Sequence, residues 1–194
     1  MKTIIIATNN KEKIREFKEM LPKYEIKSLN DMNYTEDIIE DGTSFEENAI
    51  IKAKTISKFL REKNEYVDVI AEDSGICCDG LNGEPGIYSA RYAKDHDDKL
   101  NRDKVRNELR DKDNKSAHYN STIVLYHPND TYEVFEGKTY GRIIDKEIGH
   151  NGFGYDPIFF STELNKTFGE ATKEEKNSIS HRGRALKKLL KHIK

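Results

Sequence analysis

Glu72 and Asp73 stand side by side after an apolar run, Val67 to Ala71, and are followed by Ser74 and Gly75. Neither acid has an obvious local partner. Carboxylates at the C-terminal end of a buried strand lie where α/β sheets usually place their ligands. Two such groups suit metal binding or general-base catalysis. Gly75 would let the chain turn tightly beside a ligand, so the stretch reads as an acidic turn. A second cluster, Glu36, Asp37, Glu40, Asp41, Glu46 and Glu47, offers the oxygen ligands that magnesium takes. By itself that cluster reads as readily as a solvated acidic loop.

Three further groups carry polar chemistry. Thr8, Asn9, Asn10, Lys11, Glu12 and Lys13 fall where a strand gives way to a helix. Backbone N–H groups and the helix dipole favour an anion there. Thr8 and Asn10 could add side-chain donors, and Lys13 a point charge for a phosphate. The loop lacks the Walker A pattern, and such turns are often ordinary helix caps. Gly152, Phe153, Gly154, Tyr155 and Asp156 form a glycine-rich loop in which Phe153 or Tyr155 could stack on a base; a glycine-kinked strand edge is the plainer reading. Lys176, Ser180, His181 and Arg182 sit around a helix start, with donors suited to a carbonyl oxygen; a cap with an incidental histidine would look the same.

The elements that position these groups follow from periodicity. Lys2 to Ala7 reads as a buried strand, Lys11 to Leu21 as a helix stopped by Pro22, and Glu25 to Leu29 as a second strand. Asn30 to Gly42 reads as a loop. Ser44 with Glu47 makes a capping box for a helix whose Phe45, Ala49, Ala53, Ile56 and Leu60 form one apolar face. A modest helix is expected around Leu100 to Leu109. Ser116 to Tyr126 and Thr131 to Ile144 alternate as a hairpin closed by Pro128, Asn129 and Asp130. A short strand over Pro157 to Phe160 and a final helix capped by Ser180 complete the list. The fold class expected is α/β: a long mixed sheet with flanking helices, forming two lobes of one domain around a cleft, with no linker.

Composition narrows the function. The 194 residues carry 33 Lys and Arg against 35 Asp and Glu, a formal net charge of −2, so nothing draws the chain globally to nucleic acid or anionic membranes. The lysines of the last helix read as a solvated face. No apolar run is long enough to span a membrane, and the N-terminal run is too short for a signal peptide. The two cysteines, Cys77 and Cys78, are adjacent, which excludes a disulfide framework and fits a strand in a cytoplasmic protein.

In combination the motifs resemble the inosine triphosphate pyrophosphatase family, house-cleaning hydrolases for inosine and xanthosine triphosphates. The matching stretches are ATNNKEK at 7–13, EDGTSFEENAIIKA at 40–53, AEDSGICCDGLNGEPGIYSARYA at 71–93, GHNGFGYDPIFF at 149–160 and TFGEATKEEKNSISHRGRAL at 167–186. They keep the family's order and span nearly the whole chain. The resemblance implies a magnesium-dependent homodimer that cleaves at the α-phosphorus, releasing nucleoside monophosphate and pyrophosphate. It places Thr8 to Lys13 on the triphosphate loop, Asp73 on the catalytic acid and magnesium ligand, and Ser74 on a substrate contact. Glu40 is the best match for the second metal carboxylate, with Glu72 also in question. Phe153, Gly154, Tyr155, Asp156, Lys176, His181 and Arg182 fall on nucleotide-binding positions.

Three departures stand out. Asn9 replaces a usual glycine, a change that Asn's tolerance of left-handed backbone would absorb. Gly169 and Ala171 replace larger residues and would thin the packing near the base. Cys77 and Cys78 replace an aliphatic pair. Two other readings stay open: a Maf-like pyrophosphatase for other modified nucleotides, and a non-catalytic nucleotide-binding module.

Overall fold

Consecutive apolar residues at the start of the chain, buried on both sides, make the first strand of a central sheet. A computed structural model describes residues 2–193. Strand β1 (Lys2–Ile6) leads into helix α1 (Lys11–Met20), strand β2 (Tyr24–Lys27), helix α2 (Phe45–Glu62) and strand β3 (Val69–Cys78). Helix α3 (Asp98–Leu109), strands β4 (Ser116–Tyr126), β5 (Tyr132–Ile143), β6 (Phe159–Ser161) and β7 (Lys166–Thr167), and helices α4 (Lys173–Ile179) and α5 (His181–His192) follow.

The seven strands form one sheet in the order β2-β1-β3-β4-β5-β6-β7. β1 pairs in parallel with β2 and with β3, in the register Ile5 to Val69 and Ile6 to Ile70. β5 with β6 and β6 with β7 are antiparallel. The sheet is mixed, and the fold is α/β as the periodicity implies.

The chain divides into two compact units. The first holds residues up to Asp73, Thr122–Phe135 and the chain from Lys188; the second holds Ser74–Ser121 and Glu136–Lys187. In the first, Ala49, Ala53, Ile56 and Leu60 of α2 pack on Ile5, Ala7, Val69, Ala71, Val124 and Tyr126. Side chains alternate across a strand, so these residues of β1 and β3 share one face. Ile4, Ile6 and Ile70, one residue out of step, are equally buried on the other, as strands covered on both faces require. In the second unit, Ile76, Val105, Leu109, Tyr119, Tyr155, Phe159 and Phe168 belong to a separate apolar cluster.

Several expectations change. Glu72 to Gly75 are not a turn: β3 runs unbroken through them to Cys78, and Gly75 is absent from the residues with positive φ. The glycine joins the strand because both neighbouring stretches extend the ladder. Cys77 and Cys78 are strand residues, both unbridged, and burial pushes their thiols up to about 11 and about 12. Ser44 caps α2, accepting from the Glu47 N–H at 3.1 Å. The Glu47 carboxylate instead accepts from Thr43, at 2.6 Å from its N–H and 2.8 Å from its hydroxyl, so the box is reciprocal only through the preceding residue. The complete capping box lies at Thr172 and Glu175, heading a helix the periodicity did not suggest.

Candidate active site

β3 presents Glu72 and Asp73 to opposite faces of the sheet, and each meets a different helix. Asp73 follows Val69 and Ala71 onto the α2 face. There the Asn48 side-chain amide donates to its Oδ2 at 3.1 Å, and the Lys52 ammonium lies 3.7 Å from its Oδ1. Lys52 also reaches Glu40 at 2.9 Å and donates to the Glu72 carbonyl at 2.9 Å. Asn48 Oδ1 accepts from the Gly42 N–H at 2.9 Å, which ties the loop carrying Glu40 to the same helix. Burial raises the Asp73 carboxyl above its usual range, opposed by the Lys52 and Lys13 charges and reinforced by Glu40. Glu72 faces the α1 side and pairs with Lys13 at 3.3 Å.

The structure therefore brings Asp73 and Glu40 together around one ammonium and sets Glu72 apart from them. Among the described residues, no group of three or more His, Cys, Asp or Glu side chains is arranged to hold a metal ion. Two carboxylates are nevertheless what magnesium commonly takes from a protein, with water and substrate phosphate filling its other positions. Glu40 and Asp73 fit that use.

At the head of α1, Asn10 is the cap. Its Oδ1 accepts from the N–H groups of Glu12 and Lys13, at 3.0 and 3.1 Å. Thr8 Oγ1 accepts from the Asn10 N–H at 3.1 Å, and Asn9 Oδ1 from the Asn30 N–H at 2.9 Å. Thr8 and Asn10 thus spend their oxygens on shaping the loop, and two of the helix N–H groups expected for an anion are already capped. Asn9 does not adopt positive φ, so its tolerance of left-handed backbone is not used. Lys11 is exposed, and Glu12 pairs with Arg15 on the same helix.

The remaining predicted residues gather in the second unit around Asp156, which is 2% exposed. Its Oδ2 accepts from Lys176 Nζ at 2.8 Å and from the Phe153 N–H at 3.0 Å, and its Oδ1 accepts from the Tyr119 hydroxyl at 3.0 Å. The Lys176 ammonium sits 4.9 Å and the Arg182 guanidinium 5.8 Å from the Phe153 ring centre. Arg182 is 1% exposed and donates to Ser74 Oγ at 3.3 Å. The His181 ring stacks on Tyr119 at 4.6 Å and 10°. Gly154 is gripped by α3, its N–H on Asp98 at 2.9 Å and its carbonyl on Arg102 at 2.8 Å.

Tyr155 departs from expectation. It is buried in the second core, and its hydroxyl donates to the Ser89 carbonyl at 2.6 Å, so it braces the loop and offers no face to a base. Phe153 is half-buried, with Lys176 and Arg182 against its ring. Gly169 does not thin the packing either. Its N–H donates to the Asp156 carbonyl and its carbonyl accepts from Asn151, and a side chain there would run into the Ile148 carbonyl oxygen at 2.5 Å.

Nearly the whole chain, residues 4–192, matches the Ham1 family model. The chain belongs to the Ham1 family. Among its relatives, a dITP/XTP pyrophosphatase of Leuconostoc mesenteroides is 47% identical over 98% of this chain and 96% of its own length. The dITP/XTP pyrophosphatase of Bacillus subtilis is 45% identical over the same shares. The Staphylococcus aureus Ham1 protein superposes with a TM-score of 0.88 at 41% identity, covering 99% of this chain and 98% of that one. A Coxiella burnetii HAM1 protein does so with 0.89 at 35%, covering 100% and 98%.

Residue-by-residue reading of this Ham1 chain overlooked Asn48, Lys52 and Tyr119. Lys52 and Asn48 were detectable. They fall on the apolar face of α2 with Ala49, Ala53 and Ile56, where a charged residue is almost never buried without a partner. Tyr119 gave no signal, because an aromatic in an alternating strand reads as core.

Proposed function

We propose that this chain hydrolyses deaminated purine nucleoside triphosphates, such as inosine, deoxyinosine and xanthosine triphosphates, to the nucleoside monophosphate and pyrophosphate, with magnesium as cofactor. The observation that carries the reading is Asp73: a buried carboxylate held between Asn48 and Lys52, with Glu40 on the same ammonium. The curated relatives named dITP/XTP pyrophosphatase support the substrate class.

Asp73 is the general base. Its burial raises its affinity for a proton, and the Asn48 and Lys52 contacts fix the direction of its lone pairs. It accepts the proton of a water that attacks the α-phosphorus, and pyrophosphate leaves. Lys13, at the start of α1, contributes positive charge toward the phosphates. Magnesium held by Glu40 and Asp73 would supply charge neutralisation at the phosphates. Glu72 orients Lys13 and is not a ligand in this scheme.

Base recognition belongs to Phe153, Lys176, His181 and Arg182. A 6-oxo group accepts from such donors, whereas the 6-amino group of adenine opposes them and leaves buried donors unpaired, a strong basis for rejection. A homodimer in the cytoplasm is part of the same proposal and rests on the family resemblance.

The test is pyrophosphate release from inosine, xanthosine, adenosine, guanosine and pyrimidine triphosphates, with and without magnesium. Release from the first two, abolished by a chelator and reduced by at least about 100-fold in Asp73→Asn, is expected. Preference for pyrimidines would favour the Maf-like reading, and binding without release a non-catalytic module.

A further inference from the structure

Tyr119 of β4 touches both groups assigned to the base and belongs to neither. It is 6% exposed. Its hydroxyl donates to Asp156 Oδ1 at 3.0 Å, while the other oxygen of that carboxylate holds Lys176 at 2.8 Å and the Phe153 N–H at 3.0 Å. Its ring lies nearly parallel to His181, at 4.6 Å and 10°. Phe168, at 5.8 Å and 6°, and Phe159, edge-on at 4.7 Å and 61°, surround the same ring.

We infer that Tyr119 is a positioning residue for base selection, fixing Lys176 through Asp156 and the His181 ring through stacking. The inference rests on the base-recognition reading above. An ionised carboxylate only accepts hydrogen bonds. Held at one oxygen alone, it can swing about its last torsion, which is broad for such groups, and it would carry Lys176 with it. The Tyr119 hydroxyl holds the second oxygen and stops that swing. Burial keeps the phenol protonated far above its usual range, so it remains a donor wherever the enzyme works. The flanking aromatic rings keep Tyr119 in place. A 6-oxo group is told from a 6-amino group only if the donors opposite it hold their places, and Tyr119 provides that constraint without touching the substrate.

The experiment compares full-length wild type with Tyr119→Phe, which keeps the ring stack and removes only the hydroxyl. kcat and KM are measured for inosine and adenosine triphosphates with magnesium, alongside melting temperature. The expected result is a fall of about tenfold or more in the ratio of kcat/KM for inosine over adenosine, the size for one hydrogen bond to a charged group. The fall should appear chiefly as a higher KM for inosine triphosphate, with kcat changed less. A ratio within about twofold of wild type, or an equal loss on both substrates, overturns the inference. A variant that no longer folds does so too, since it would make the hydroxyl structural. Phe168→Leu loosens the same rings and leaves every Asp156 hydrogen bond in place. An equal loss of selectivity there would assign the effect to packing and overturn the role of the hydroxyl. Wild type without any inosine preference removes the base-recognition reading itself. Wild type with the preference and an unchanged Tyr119→Phe removes only this inference.

Discussion

Lys52 is the residue whose chemistry depends most on its surroundings. Its ammonium is nearly buried and answers Glu40, Asp73 and the Glu72 carbonyl together. A buried ion pair adds little net stability by itself, but removing one partner strands the other. Lys52→Met should therefore cost about 3 kcal/mol in urea unfolding, because two carboxylates lose their counter-charge. Turnover should fall with it, since the Asp73 carboxylate loses the contact that orients it. A loss under about 1 kcal/mol would show that solvent, not Lys52, balances these acids. At the same scale, one-residue alternation along β3 decides which helix each acid meets. Asp73 and Glu72 are neighbours in sequence yet address different helices, so adjacency on a strand is the reverse of cooperation.

Among the elements, α4 and α5 matter most to the residues proposed for base recognition, because Lys176 lies in the middle of one and His181 and Arg182 begin the other. Thr172 and Glu175 close the first turn of α4, and Ser180 Oγ accepts from the Gly183 N–H at 3.0 Å to start α5. The corner is tight: a side chain on Gly183 would run straight into the Asn177 carbonyl oxygen and lie 3.1 Å from Ser180 Oγ. Backbone cannot yield as a side-chain tip can. Gly183→Ala should cost about 1–3 kcal/mol, typical of overpacking, and should raise KM for inosine triphosphate by displacing Lys176, His181 and Arg182 together. Thermal unfolding and steady-state kinetics would check both, and an unchanged melting temperature would mean the corner opens freely. Helix α4 itself was legible as Thr172-x-x-Glu175, but its seven residues are too few for a periodic apolar stripe to reveal it.

For the molecule as a whole, pH dependence should come partly from His127. Its Nδ1 lies 2.7 Å from Asp68 and its Nε2 2.8 Å from Glu133. Lys2 also faces Asp68 at 3.1 Å, and His192 faces Glu133 at 3.7 Å. Partial burial works against the charged imidazole, but the two carboxylates outweigh it and raise its pKa; Asp68 is correspondingly lowered by His127 and Lys2 despite its own burial. A raised folded-state pKa means the stabilisation is complete below the unfolded value of about 6.5 and fades as pH rises through the folded value. The lowered Asp68 contributes above about 3.9 and is lost as pH falls through its folded value. The stability gap between wild type and His127→Gln should therefore be widest between about pH 4 and 6.5 and narrow toward pH 9. A gap that does not narrow on the alkaline side would rule out the charged imidazole as its source.

The sequence by itself determined the family, the α/β class and most of the strands and helices, because buried strands and amphipathic helices impose their periods locally. It also singled out Asp73, Lys176, His181 and Arg182 as candidates by residue type and place, and Glu40 by the family resemblance. Only the tertiary structure decided that Glu72 to Gly75 continue a strand and that Glu72 faces away from Glu40 and Asp73. The same holds for Tyr155, which braces its loop from the core, and for Lys52, Asn48 and Tyr119, which contact Asp73, Glu40, Asp156 and His181. Those outcomes depend on what lies across a sheet face from a side chain, and residues far apart in the chain supply it.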